Sequence, residues 1–146
     1  MKLFLDASVL LAACGRPAGG SHAVCDLAAG QGWRLLTSNY VMHGVEKNVR
    51  LRLPASAQGE WERLKPLLEV TADVVTFDWP VVFPAAKDRP VLFTVAATAD
   101  VLLTLDRADF GPVMAAGFYG LAVLRPGLDF LRRERAAGRL REAGPA

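Results

Sequence analysis

The sequence predicts a three-layer α/β/α sandwich around a parallel sheet of roughly five strands, and three observations carry that prediction. Short apolar runs alternate with helix-period segments from end to end, the pattern of repeated βαβ units. The run at 101–105 is almost continuously apolar, as a strand covered on both faces must be. Acids stand directly beyond the apolar runs, Asp6 after the first and Asp106 with Asp109 after the run at 101–105. In an open parallel sheet the C-terminal strand ends are where ligands bind.

Composition bounds the answer. A chain of 146 residues suits one domain and buries enough surface to fold without disulfides or a structural metal. We place that domain at 1–135 and expect a frayed tail at 136–146. A hydrophobic fraction of 52% argues against disorder, and no apolar run approaches the length of a membrane span. The first strand meets Asp6 too early for a secretory signal, so the expected location is cytoplasmic. Cys14 and Cys25 lack CxxC spacing and read as buried free thiols. The formal net charge of +2 is too small to announce nucleic acid. From Arg125 onward six arginines face three acids, which puts any basic face near the C-terminus.

Taken in order, residues 2–5 form a strand that delivers Asp6 at its tip. Ser8 is placed to cap a helix through Val9, Leu10, Ala12 and Ala13, ended by Gly15 and Pro17. Ser21 caps a second helix with Val24, Leu27 and Ala28 inward, broken by Gly30 and Gly32. Residues 33–37 are the second strand. Ser38 then caps a third helix whose Val41, Val45 and Val49 recur at four-residue spacing, with Glu46 beside the stripe. A fourth helix from about Ser56 packs Trp61, Leu64 and Leu68 and is kinked or shortened by Pro66. Residues 73–77 are the third strand and 78–87 a proline-punctuated loop. Asp88 occupies the N-cap of a fifth helix whose apolar positions are Val91, Leu92, Val95, Ala96 and Ala99. Residues 101–105 and 120–124 are the last two strands, and Leu128, Phe130 and Leu131 begin a final helix that breaks at Gly138. Trp33, Trp61 and Trp79 belong to core or interface, and His22 and His43 to the surface or helix boundaries.

Right-handed crossovers bring the strand-to-helix loops to one sheet edge. That edge receives Asp6, Ser38, Asp88, Asp106 and Asp109. Glu46 lies about 12 Å along its helix from Ser38, at roughly 1.5 Å per residue, and joins the group if that helix crosses the edge. Converging carboxylates cannot all stay ionised without a counter-charge. A divalent metal is the simplest one, and all-oxygen ligation without nearby His or Cys favours Mg2+ or Mn2+ over zinc. Singly, each acid has a plainer role: Asp88 as a cap, Asp106 and Asp109 as turn residues, Glu46 as a solvated helix acid. Their convergence is what favours the metal.

Asp6 within LDAS, Glu46 after a serine-capped helix start, Asp88 in a D-x-x-x-L-x-x-x-A segment, and LLTLDRADF with Thr104, Asp106, Asp109 and Phe110 resemble the PIN-domain nucleases, in particular the VapC-like toxin ribonucleases. The resemblance runs over roughly 2–126. It implies a three-layer α/β/α fold with a five-stranded parallel sheet, metal-dependent hydrolysis of RNA with Mg2+ or Mn2+, frequent homodimers, and, for small stand-alone bacterial members, an antitoxin protein as partner. Asp6, Glu46, Asp88 and Asp106 take the catalytic positions, with Asp6, Asp88 and Asp106 at the metal, Asp109 accessory, and Ser8 and Thr104 as supporting hydrogen-bonding groups. Glu46 would hold a second metal or orient the water. Lys47, Arg50, Arg52, Lys87, Arg89 and Arg107 border these motifs and are the candidates for the RNA backbone. The second, third and fourth helices offer the natural face for a dimer or an antitoxin. The loop 78–87 and the early Pro90 depart from the pattern.

Two other classes compete. A phosphohydrolase using Asp6 as nucleophile would want a second aspartate two residues on, where Ser8 stands. A non-catalytic RNA-binding or scaffold protein of the same fold would bind without cutting.

Overall fold

β1 (Lys2–Leu5) runs through the middle of the sheet because Leu3, Phe4 and Leu5 are completely buried. It pairs in parallel with β2 (Arg34–Ser38) on one side and β4 (Val101–Leu103) on the other. β3 (Leu68–Thr71) extends the sheet beyond β2, and β5 (Ala122–Leu124) beyond β4. The computed structural model describes residues 1–74, 86–118 and 120–141, and among these the sheet has the order β3-β2-β1-β4-β5. The order reverses between β1 and β4, so the crevice for a ligand lies beyond their C-terminal ends.

The helices are α1 (Ala7–Gly15), α2 (Gly20–Gln31), α3 (Asn39–Arg52), α4 (Ala55–Leu64), α5 (Arg89–Thr98), α6 (Arg107–Ala116) and the short α7 (Arg132–Ala136). Together with the sheet they give the α/β/α sandwich that the sequence predicts. Val41, Val45 and Val49 of α3 and Val91, Leu92 and Val95 of α5 are buried as their spacing requires. His22 on α2 stands between Asp26, 2.9 Å from its Nδ1, and Arg63 of α4, 3.0 Å from its Nε2, tying the two helices together. Both cysteines are buried, and burial pushes the thiols up, to about 11 for Cys14 and about 12 for Cys25.

Several elements differ from the sequence reading. Asp6, not Ser8, caps α1: its Oδ1 accepts from the Ala7 N–H at 2.8 Å, which starts the helix directly at the strand end. α2 begins at Gly20 with Gly19 as its cap, so Ser21 is inside the helix. A Cβ on Gly20 would meet the Gly127 backbone at 2.5 Å, so the chain approaches itself too closely for any side chain there. The third strand is Leu68–Thr71 rather than 73–77. Pro66 ends α4, a single 3-10 turn (Lys65–Leu67) follows, and Leu68 pairs with Leu35. Asp73 and Val74 lie outside the strand, and 75–77 with most of the loop 78–87, Trp79 included, fall outside the described residues. The strand expected at 101–105 stops at Leu103 and the last strand starts at Ala122. α6, with Gly111 and Pro112 inside it, was not expected. The final helix opens as a π-helical segment (Pro126–Leu131) before α7. Beyond α7, Arg139 pairs with Glu134 at 2.8 Å and Arg141 exchanges two hydrogen bonds with Gln31, so the tail is tied back as far as Arg141.

Candidate functional site

Asp6 and Asp106 follow β1 and β4, the two strands that flank the order reversal. The Asp6 N–H donates to the Leu103 carbonyl at 3.1 Å, which continues the sheet and fixes the residue at its edge. Its Oδ2 accepts from Thr104 Oγ1 at 2.8 Å and from Ser8 Oγ at 3.1 Å. Thr104, fully buried, in turn accepts from the Asp106 N–H at 3.1 Å, and Ser8 Oγ accepts from the Leu105 N–H at 3.0 Å. One threonine hydroxyl thus couples the two acids. Burial raises the Asp6 carboxyl above its ordinary range against these hydrogen bonds.

Asp106 caps α6, its Oδ1 accepting from the Asp109 N–H at 3.0 Å, so both acids turn toward the same crevice. Asp88 reaches it from the turn before α5. Asp88 occupies the N-cap position as predicted, but its side chain makes no capping bond, and its Oδ2 is buried without a hydrogen-bond partner among the described residues. Oxygens of Asp88, Asp106 and Asp109 lie within 4.8 Å of one another. Burial, then the neighbouring Asp109, pushes Asp88 up to about 7, although Lys87 pulls it down. Asp109 moves the other way, because Lys87 Nζ sits 2.8 Å from its Oδ2 and Asp88 shares a hydrogen bond with it. The pair therefore favours a proton on Asp88 over one on Asp109.

An open cavity of about 810 Å³ lies beside Asp6 and Asp88, with Asp106 and Asp109 outside its described lining. Asp6, Asp88 and Lys87 line one side, and Tyr40, His43, Gly44, Lys47 and Asn48 of α3 the other. Tyr40 donates its hydroxyl to the Lys87 carbonyl at 3.0 Å and its N–H to Asp73 at 3.2 Å, pinning the turn that carries Lys87 and Asp88 against α3. Neither Tyr40 nor Asp73 was marked in the sequence, where an exposed tyrosine and a lone aspartate carry no signal. Ser38 caps α3 as expected, accepting from the Val41 N–H at 3.3 Å.

Glu46 is not brought to this group. At 3.6 residues per turn it lies about 200° around α3 from Gly44, and its carboxylate pairs with Lys65 Nζ at 3.4 Å. The adjoining hollow on α3, lined by His43, Glu46, Lys47, Arg50 and Leu51, shares Lys47 with the main cavity. Arg52 is exposed in the last turn of α3, Arg89 is exposed one residue past Asp88, and Arg107 is exposed one residue past Asp106.

The donor set fits a hard divalent cation. Octahedral Mg2+ ligands stand about 2.1 Å from the ion and so at most about 4.2 Å apart, a spacing that small rotations of the three carboxylates reach. The unpartnered Asp88 oxygen is the atom such an ion would satisfy.

No protein-family model matches the sequence, and no curated protein matches it. Solved structures do match. VapBC2 from Rickettsia felis, bound to a fragment of promoter DNA, aligns with 86% of this chain and 98% of its own at 12% identity and a TM-score of 0.59. VapC20 of Mycobacterium tuberculosis, a toxin that cleaves the sarcin–ricin loop, aligns with 81% of this chain and 97% of its own at 16% identity and a TM-score of 0.50. The chain has the VapC-like PIN-domain fold.

Proposed function

We propose that the protein is a divalent-metal-dependent endoribonuclease, the toxin of a toxin–antitoxin pair, acting at the crevice of Asp6, Asp88, Asp106 and Asp109. The observation that carries this reading is the convergence of three carboxylates within 4.8 Å, one with a buried oxygen that no described residue satisfies. The likeness to VapC20, itself an RNA-cleaving toxin, supports the choice of substrate class.

Asp88, Asp106 and Asp109 would hold the ion, with Asp6 beside them. Bound there, Mg2+ or Mn2+ supplies Lewis acidity to a phosphodiester and acidifies the attacking water. The chain's own groups do the rest. Thr104 and Ser8 both donate to Asp6 Oδ2, which fixes the side chain and favours its ionised form against the burial that raises it. Asp88 would have to be ionised to hold such a cation, since a ligating carboxylate cannot keep its proton. Arg107, exposed one residue past Asp106, lines a separate hollow with Arg125, while Lys87 and Lys47 line the cavity, where each can meet a phosphate of the strand. Arg50 extends that basic strip along α3 through the neighbouring hollow. An antitoxin partner and a homodimer belong to the same reading, with exposed Leu51, Leu67 and Val70 as apolar surface near the α3–α4 side of the sheet.

The test is cleavage of a mixed RNA panel in Mg2+, Mn2+ or chelator by the wild type, Asp6→Asn and Asp88→Asn. Metal-dependent cutting lost in both variants is expected. RNA bound but left intact by the folded wild type would make the protein a binding member of the fold, and size measurement across concentrations decides the dimer.

A further inference from the structure

A second cavity, of about 480 Å³, opens on the other side of Leu105, one residue from Asp106. Its walls come from α1, the α1–α2 turn and the segment after β5, through Ala12, Arg16, Gly20, Leu105, Arg125 and Leu128. No carboxylate is among its described lining residues. Arg16 is exposed, and no described residue bonds its guanidinium. Arg125 places Nε and Nη2 on Asp129, at 2.7 and 3.0 Å, which fixes the guanidinium plane and leaves its Nη1 donors for another group. Leu105 and Leu128 are 41% and 54% exposed, flat apolar walls beside two cations.

The cavity and the acidic crevice are joined by one helix face. Ser8, Ala12 and Arg16 recur at four-residue steps along α1. Ser8 at one end bonds Asp6 and the Leu105 N–H, and Arg16 lines the cavity at the other, about 12 Å away along the axis at about 1.5 Å per residue. The closeness of Gly20 to Gly127 draws the floor of the cavity together, since a Cβ on Gly20 would fall 2.5 Å from the Gly127 backbone.

Building on the ribonuclease reading, we propose that this cavity is a second subsite for the RNA, holding a phosphate and sugar of the strand beyond the cut bond between Arg16 and Arg125, with a base against Leu105 and Leu128. Two guanidiniums supply the phosphate contacts that fix register without reading sequence, and the apolar walls suit any base. The substrate is then a single strand long enough to span from Asp106 over Leu105 to Arg16, so the enzyme favours extended RNA over a dinucleotide.

Fluorescence anisotropy with labelled single-stranded RNA in chelator tests this, using a dinucleotide and a strand of about twelve nucleotides over a salt series. Arg16→Gln and Arg125→Gln should weaken binding of the long strand several-fold and reduce the salt slope by about one each, while the dinucleotide binds them as it binds wild type. Arg16→Lys should restore most of the slope, and Arg125→Gln with Asp129→Asn controls for the freed aspartate. Arg135→Gln, a remote charge on α7, sets the background. Long-strand affinity and slope in Arg16→Gln equal to those of Arg135→Gln would overturn the subsite and leave the ribonuclease reading standing. Failure of the wild type to bind either RNA would overturn both.

Discussion

Lys87 Nζ stands 2.8 Å from Asp109 Oδ2, so the chain sets a cation of its own against the cluster proposed to hold a metal. A divalent ion entering there must displace that ammonium or share Asp109 with it. In Lys87→Met, at a pH where every acid is ionised, Mn2+ should bind a few-fold more tightly, since solvent screens so exposed a pair. Calorimetric titration at alkaline pH reads this directly, and unchanged affinity would show that Lys87 does not compete.

The Asp88 carboxyl, raised to about 7 from its ordinary 3.8, gives the metal-free protein an unusual pH dependence. The folded state holds this proton between those two values and the unfolded state does not, so stability falls as pH rises from about 4 to about 7. Thermal unfolding in chelator should show a lower midpoint at pH 8 than at pH 5.5, and Asp88→Asn should flatten the slope. Added Mg2+ should reverse it, with proton release on binding that shrinks above pH 8.

Thr104 serves two acids with one hydroxyl. Thr104→Val should cost roughly 1.5–3 kcal/mol in denaturant unfolding, because a buried carboxylate loses a charge-assisted bond and the Asp106 N–H loses its acceptor. Thr104→Ser should recover most of it. A Thr104→Val protein more stable than Thr104→Ser would mean that the methyl packing, not the hydroxyl, is what the site needs.

Glu46 provides the contrast. Its bond is to Lys65, both side chains are partly exposed, and the pair lies off the crevice. Glu46→Gln should leave RNA cleavage at the wild-type rate and stability nearly unchanged, because an exposed pair contributes little. Loss of cleavage in a folded Glu46→Gln would return that residue to the site.

What could be read from the sequence was whatever local chemistry decides. Asp6, Ser38 and Asp106 were placed correctly because a polar residue at the junction of an apolar run and a helix has only the junction to occupy. The third strand was misplaced because Leu64 and Leu68 keep helical spacing across Pro66, and only pairing of Leu68 with Leu35 decides for a strand. α6 was missed because Gly111 and Pro112 argue locally against any helix, while the Asp106 cap and the buried Phe110 hold it in place. The rotation of α3 is set by its buried valines, and that rotation sends Glu46 away and presents Gly44 and Lys47 instead. Pairing of Lys87 with Asp109 joins segments that nothing in the sequence links.

The place of β4 beside the central β1 has a consequence for how the protein is made. Asp6 and Thr104 meet across 98 residues of chain, and β4 docks beside β1 only after everything between has been synthesised. A ribosome that stalls before Thr104 releases a chain with Asp6 unsupported and with Asp106 and Asp109 absent. Until Asp109 has been added, the nascent polypeptide lacks the assembled acids, whatever chemistry they perform.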